Sequence, residues 1–220
     1  MKAEALQKIR ETGVIAVVRA ASADEALKLA NAIAAGGLPI LEITMTVPDA
    51  VQVIAALAKG TAGKAVVGAG SVLDAATAAK CIEAGARFVV TPALQPEVIA
   101  YCRAQAVAVM AGALTPTEVV QAWTAGADLV KVFPAGAMGG PGYIKSLKGP
   151  LPQVELVPTG GVTLANAAAF IEAGASAIGV GSELANVKAL RRGRLGDISR
   201  SARAYVEAVR AARPRASPPS

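Results

Sequence analysis

The sequence predicts a single (β/α)8 TIM barrel, on three observations. Eight short β-branched runs alternate with alanine-rich helical stretches. Ala-Gly pairs recur at 35–36, 84–85, 125–126 and 173–174, at intervals of 49, 41 and 48 residues, so four repeats of two βα units give eight. The 220 residues suffice for one well-cored domain of this class. A doubly wound open sheet is the alternative, but no Gly-x-Gly-x-x-Gly turn follows the first run.

Taken in order, each run has its own pattern. The first, 13–20, places Ile15, Val17 and Arg19 on one face, and Ser22-Ala-Asp-Glu25 after it reads as a capping box. Ala26, Leu29, Ala30 and Ile33 then recur at helical spacing. The second, 38–45, places Ile40, Glu42 and Thr44 opposite Leu41, Ile43 and Met45. The third and fourth, 65–72 and 88–93, reach Ser71 and Thr91 near their ends. The fifth, 107–114, runs into Thr115-Pro-Thr-Glu118, a second capping box with proline at the first helical position. The sixth, 129–135, sets Leu129, Lys131 and Phe133 on one face and Val130 and Val132 on the other. The seventh, 154–159, ends at Thr159 before Gly160 and Gly161, with Thr163 read as opening a helix. The eighth, 177–182, ends Gly179-Val-Gly-Ser182 and is expected to lead into a helix likewise. Residues 1–212 form the predicted barrel, and the Pro- and Ser-rich 213–220 reads as a disordered tail.

Composition excludes several classes. Apolar residues at 54% and charged residues at 17% describe a globular chain, and no apolar run reaches the ~18 residues of a membrane span. The start, Met-Lys-Ala-Glu-Ala-Leu, is helical and carries an acid, unlike a signal peptide, and two cysteines make no disulfide framework; a cytoplasmic setting is expected. The net charge of +6 resides in residues 186–220, where nine Lys/Arg face two Asp/Glu, so no nucleic-acid partner is expected. Histidine is absent, which removes Ser-His-Asp triads and imidazole-held zinc; no metal or cofactor is expected.

Lys131 carries the most information. Lysine is rarely buried, and a buried ammonium tends to shed its proton, leaving an amine that can attack carbonyl carbon. With Val130 and Val132 toward the helix layer, Lys131 points into the barrel, and by the same parity so does Glu42. The two also read as a buried structural ion pair. Arg19 joins them at the C-terminal ends of the strands, where barrel active sites lie. The glycine turns after runs seven and eight offer backbone N–H groups to an anion such as phosphate.

Glu42-Ile-Thr-Met-Thr-Val-Pro48, Gly68-Ala-Gly-Ser-Val72, Val130-Lys-Val-Phe-Pro134, Pro158-Thr-Gly-Gly-Val162 and Gly179-Val-Gly-Ser182 stand in the order found in one family. Over about residues 9–212 the sequence resembles the bacterial 2-keto-3-deoxy-6-phosphogluconate (KDPG) / 4-hydroxy-2-oxoglutarate (KHG) aldolases. The resemblance implies a metal-free class I aldolase that forms a Schiff base with pyruvate and assembles as a homotrimer. It implies Lys131 as the Schiff-base lysine and Glu42 as the general acid/base. Thr44, Ser71, Pro92 and Phe133 would line the pocket, and Thr159, Gly160, Gly161, Gly181 and Ser182 would surround the substrate phosphate. Many members carry arginine where this chain has Thr46, and the resemblance is to a branch with an arginine after the first strand. Arg19, with Thr46, is therefore expected at the substrate carboxylate. Within the family a 2-keto-3-deoxy-6-phosphogalactonate aldolase is the alternative; a phosphate-binding barrel isomerase or epimerase using Glu42 as base, and a non-catalytic sugar-phosphate sensor, are the alternatives of other classes.

Overall fold

The computed structural model describes residues 1–61 and 63–213; of the tail expected at 213–220, all but Arg213 lies outside them. Eight strands follow one another: β1 (Val14–Val18), β2 (Ile40–Thr44), β3 (Val66–Gly70), β4 (Phe88–Val90), β5 (Ala108–Ala113), β6 (Leu129–Val132), β7 (Leu156–Pro158) and β8 (Ile178–Val180). All neighbours are parallel in the order β7-β6-β5-β4-β3-β2-β1-β8, and a single Thr159–Gly179 bridge joins the two ends. The predicted (β/α)8 barrel is the observed one. Strands are shorter than the β-branched runs because the last residues of each run turn into loops at the mouth.

The helices are α1 (Lys2–Thr12), α2 (Ala23–Ala35), α3 (Ala50–Gly60), α4 (Ala75–Glu83), α5 (Pro96–Ala104), α6 (Pro116–Thr124), α7 (Pro141–Lys148), α8 (Ala167–Glu172), α9 (Val187–Arg191) and α10 (Leu195–Ala212). Local chemistry explains their starts. Thr115 Oγ1 accepts from Glu118 N at 3.3 Å while the Glu118 carboxylate accepts from Thr115 N at 2.7 Å, so the second capping box is complete. The first is half a box: Ser22 Oγ caps Glu25 N, but the Glu25 carboxylate reaches Ala21 N and is pulled toward Arg191 Nε, 2.7 Å away.

Three of the four Ala-Gly pairs end their helices as read: Gly85, Gly126 and Gly174 lie at φ +103°, +93° and +99°. The first also closes its helix, since α2 ends at Ala35, but Gly36 is a right-handed C-cap at φ −77° and Gly37 takes the left-handed turn; a Cβ on Gly36 would lie 2.8 Å from that of Ala202. Gly36 is small so that α10 can pack on α2.

Strand alternation builds two cores. Val14, Ala16, Val18, Leu41 and Ile43 face the helices, while Ile15, Ile40, Val66, Phe88 and Leu129 fill the barrel. Ala5, Leu6 and Ile9 of α1 belong to the inner cluster, so this helix plugs the N-terminal end of the barrel. At that same end, Arg213 donates to the carbonyls of Glu11 and Ser176. The clefts beside Arg19, Phe133 and the glycine turns lie at the opposite face.

Candidate active site

Lys131 and Glu42 stand on β6 and β2, four strands apart and so on opposite walls of the barrel. Lys131 lies between Gly112 of β5 and Val157 of β7. Glu42 lies between Val17 of β1 and Gly68 of β3. Both side chains meet near the centre: Nζ is 3.6 Å from Glu42 Oε1, with side chains only 3% and 2% exposed.

That separation is too long for a hydrogen bond. Among the described residues Glu42 Oε1 is a buried oxygen without a donor. A structural ion pair offsets desolvation only with close geometry and satisfied lone pairs. Here both are lacking, and the gap leaves an acceptor available to a third group. The glycine at 70 makes this placement possible, since a Cβ there would fall 2.7 Å from Glu42 Cγ and Cδ and closer still to Oε1. Phe133, two residues on along the same run, holds its ring centroid 5.4 Å from Nζ.

Above Phe133 a cleft of about 210 Å³ runs past Arg19, Thr159, Gly160, Gly161 and Ser182. Gly160 and Gly161 lie at φ +82° and +77°. The carbonyls of Thr159, Gly160 and Gly161 accept from Ala135 N, Gly136 N and Asn166 Nδ2 at 2.9, 2.8 and 2.9 Å. In a planar trans peptide the N–H points opposite to the C=O. The N–H groups of Gly160, Gly161 and Val162 are therefore turned away from these partners. Among the described residues neither these three nor those of Gly181 and Ser182 find an acceptor. Five unengaged donors around one cleft can hold an anion.

Neither glycine turn leads straight into a helix, contrary to the sequence reading. α8 starts at Ala167 and α9 at Val187, because Asn166 spends its side chain on Gly161 O and Thr163 N, and residues 182–184 make a turn. The cradle consists of loop N–H groups rather than a helix end. Asn166, which orients it, was not singled out by the sequence; only its position five residues beyond the Gly-Gly pair could have pointed to it.

The remaining residues ring the mouth. Arg19 is exposed at the end of β1 and lines the glycine cleft. Ser71 follows β3 in a left-handed conformation, φ +59°, which costs a non-glycine residue on the order of 1–3 kcal/mol. Pro92 is held by Thr91, whose Oγ1 accepts from Gly112 N and donates to Ala93 O. Thr44 Oγ1 donates to Val18 O at 3.2 Å and lies 2.7 Å from Thr46 Oγ1. Either hydroxyl can donate in that second contact, and Thr46 is exposed at the mouth.

A family model described as KDPG and KHG aldolase matches residues 6–201. The chain is 37% identical over 168 residues to a 2-dehydro-3-deoxy-phosphogluconate aldolase of Treponema pallidum, covering 76% of this chain and 78% of that protein. It is equally 37% identical, over 172 residues, to a 2-dehydro-3-deoxy-6-phosphogalactonate aldolase of Escherichia coli, covering 78% and 83%. A solved KDPG aldolase from Legionella pneumophila, with pyruvate captured at low pH as a covalent carbinolamine intermediate, matches with a TM-score of 0.78 and 25% identity over 90% of this chain and 97% of that one. With the family model matching residues 6–201 and relatives 37% identical over most of both chains, the chain belongs to the KDPG and KHG aldolase family.

Proposed function

We propose that the protein is a class I aldolase that cleaves KDPG to pyruvate and glyceraldehyde 3-phosphate, with 4-hydroxy-2-oxoglutarate, giving pyruvate and glyoxylate, as a second substrate. The observation that carries this is the buried amine 3.6 Å from a carboxylate oxygen that lacks a donor, beneath a cleft lined by free N–H groups. Lys131 adds to the C2 ketone, and loss of water with proton transfer by Glu42 leaves an iminium ion. The C3–C4 bond then breaks, its electron pair flowing into the iminium as Glu42 takes the C4 hydroxyl proton. The aldehyde departs, and the enamine is protonated at C3 and hydrolysed to pyruvate. A carboxylate placed for such transfer contributes about 10²–10⁴-fold. In this reading Arg19 pairs with the substrate carboxylate through its planar fork, and Thr44, Ser71, Pro92 and Phe133 line the pocket. Thr159, Gly160, Gly161, Gly181 and Ser182 take the phosphate, so that binding at the far end orients the reacting bond.

Borohydride added with pyruvate is expected to trap an adduct on Lys131, located by peptide mass mapping, and Lys131→Ala to abolish both adduct and turnover. Glu42→Gln should still bind pyruvate but turn over about 10²–10⁴-fold more slowly. Full turnover in Lys131→Ala would sink the Schiff-base reading and favour an isomerase or epimerase using Glu42. The galactonate epimer of the substrate is the second reading, favoured by the E. coli relative; kcat/KM for the three substrates decides among them. Among the described residues no helix is long and apolar enough to cross a membrane, and a cytoplasmic homotrimer is the assembly we propose, to be checked by light scattering.

A further inference from the structure

A second cleft, of about 360 Å³, adjoins the first and shares Val17, Arg19 and Ser182 with it. Its far wall is α9, which contributes Val187 and Lys188. The two clefts form one trough running from Phe133, past the glycine turns, to Lys188. We propose that Lys188 is a specificity-determining residue: across this trough its ammonium pairs with the terminal phosphate of the substrate and ranks phosphorylated above unphosphorylated 2-oxo sugar acids. The proposal rests on the aldolase reading and adds to it the cation that the phosphate site lacks.

Charge balance is the first argument. The glycine turns offer only neutral N–H groups and the Ser182 hydroxyl, whereas a phosphate monoester brings close to two negative charges at neutral pH. Arg19 is engaged with the carboxylate in this reading. Glu183, which also lines the glycine cleft, adds negative charge and makes a balancing cation more necessary.

Availability is the second argument. Three neighbouring cations are committed: Arg191 to Glu25 at 2.7 Å, Arg194 to Asp197 at 3.5 Å, and Arg200 to Asp197 as well. Among the described residues Lys188, Arg192 and Arg203 have no carboxylate within salt-bridge reach, and of these three it is Lys188, exposed, that lines the trough. Its platform is fixed. Asn186 Oδ1 accepts from Ala189 N at 3.0 Å, Ala189 is buried, and the Arg191–Glu25 pair ties α9 to α2. Lys188 is therefore a flexible four-carbon stem on a rigid base, suited to a point charge rather than to a planar fork.

The test compares kcat/KM for KDPG with that for the same sugar acid lacking its phosphate, in wild type, Lys188→Ala, Lys188→Glu and Lys188→Arg. A solvent-facing charge contact is modest, so the ratio should fall about three- to fivefold in Lys188→Ala and further in Lys188→Glu, with Lys188→Arg restoring most of it. The wild-type preference should also weaken with added salt more than that of Lys188→Ala. A ratio unchanged in Lys188→Ala and Lys188→Glu, or both substrates falling together, overturns the proposal, the latter marking a structural role. Borohydride trapping of pyruvate separates the two levels: if wild type traps and the ratio does not move, only the role of Lys188 fails. If wild type does not trap, the aldolase reading fails and takes this proposal with it.

Discussion

Replacing Gly70 by alanine isolates the space that holds the Glu42 carboxyl. Gly70 has no left-handed φ, so alanine brings no backbone strain and acts through its methyl group alone. That Cβ would stand 2.7 Å from Glu42 Cγ and Cδ, whereas carbon atoms pack at roughly 3.5–4.0 Å. The carboxyl must therefore retreat by about 1 Å, away from β3. A misplacement of about 1 Å costs on the order of 10²-fold in rate. Gly70→Ala should thus lose about 10²-fold in kcat, no more than Glu42→Gln, and about 1–3 kcal/mol of stability from overpacking. Pyruvate release, coupled to NADH oxidation by lactate dehydrogenase, reads the rate, and a urea melt reads the stability. Lys131 stands on the opposite wall, so borohydride trapping of pyruvate should persist. If kcat stays within about twofold of wild type while Glu42→Gln is crippled, Gly70 is not what positions the carboxyl. If trapping is lost too, the damage lies in the fold, and the steric argument fails.

Three further outcomes follow from the structure. Gly161→Ala, at φ +77° and with its Cβ 2.8 Å from Gly136 Cα, should cost about 1–3 kcal/mol and raise KM for the phosphorylated substrate; Gly181→Ala, whose Cβ meets nothing within 4 Å, should melt within about 0.5 kcal/mol of wild type, and equal melts for the two would refute the strain. Burial raises the Cys81 thiol from 9.0 to about 11 and that of Cys102 to about 12, so at pH 8 native protein should react with Ellman's reagent about 100-fold more slowly than unfolded protein, and rapid native labelling would contradict this. Because these folded values are raised, their contribution to stability is complete below pH 9 and is lost as pH climbs through 11 to 12; the urea midpoint should fall over that window.

What could be read in advance depended on how local the cause was. Lys131 and Glu42 were legible because strand parity is a period of two, and an ionisable residue in phase with interior aliphatics has one place to point. The Thr115–Glu118 box was legible because all its partners lie within four residues. Glu25 has the same spacing from Ser22, but Arg191, 166 residues away in sequence, competes for its carboxylate. Gly36 caps α2 as its pattern suggests and in addition makes room for α10, a contact no local pattern contains. Asn166 escaped notice for a related reason: its hydrogen bonds run back to a loop, so it carries no periodicity. The plug formed by α1 was equally hidden, since an amphipathic helix does not announce which surface it covers.

The attachment of Arg213 beside Glu11 and Ser176 places the last described residue on the plugged end of the barrel. Met1 borders a hollow with Arg87 and Val107 at the starts of β4 and β5, so the first residue lies at that end too. Both described ends of the polypeptide thus face away from the mouth. A partner domain joined at either end would hang beneath the barrel, leaving the route to Lys131 unobstructed.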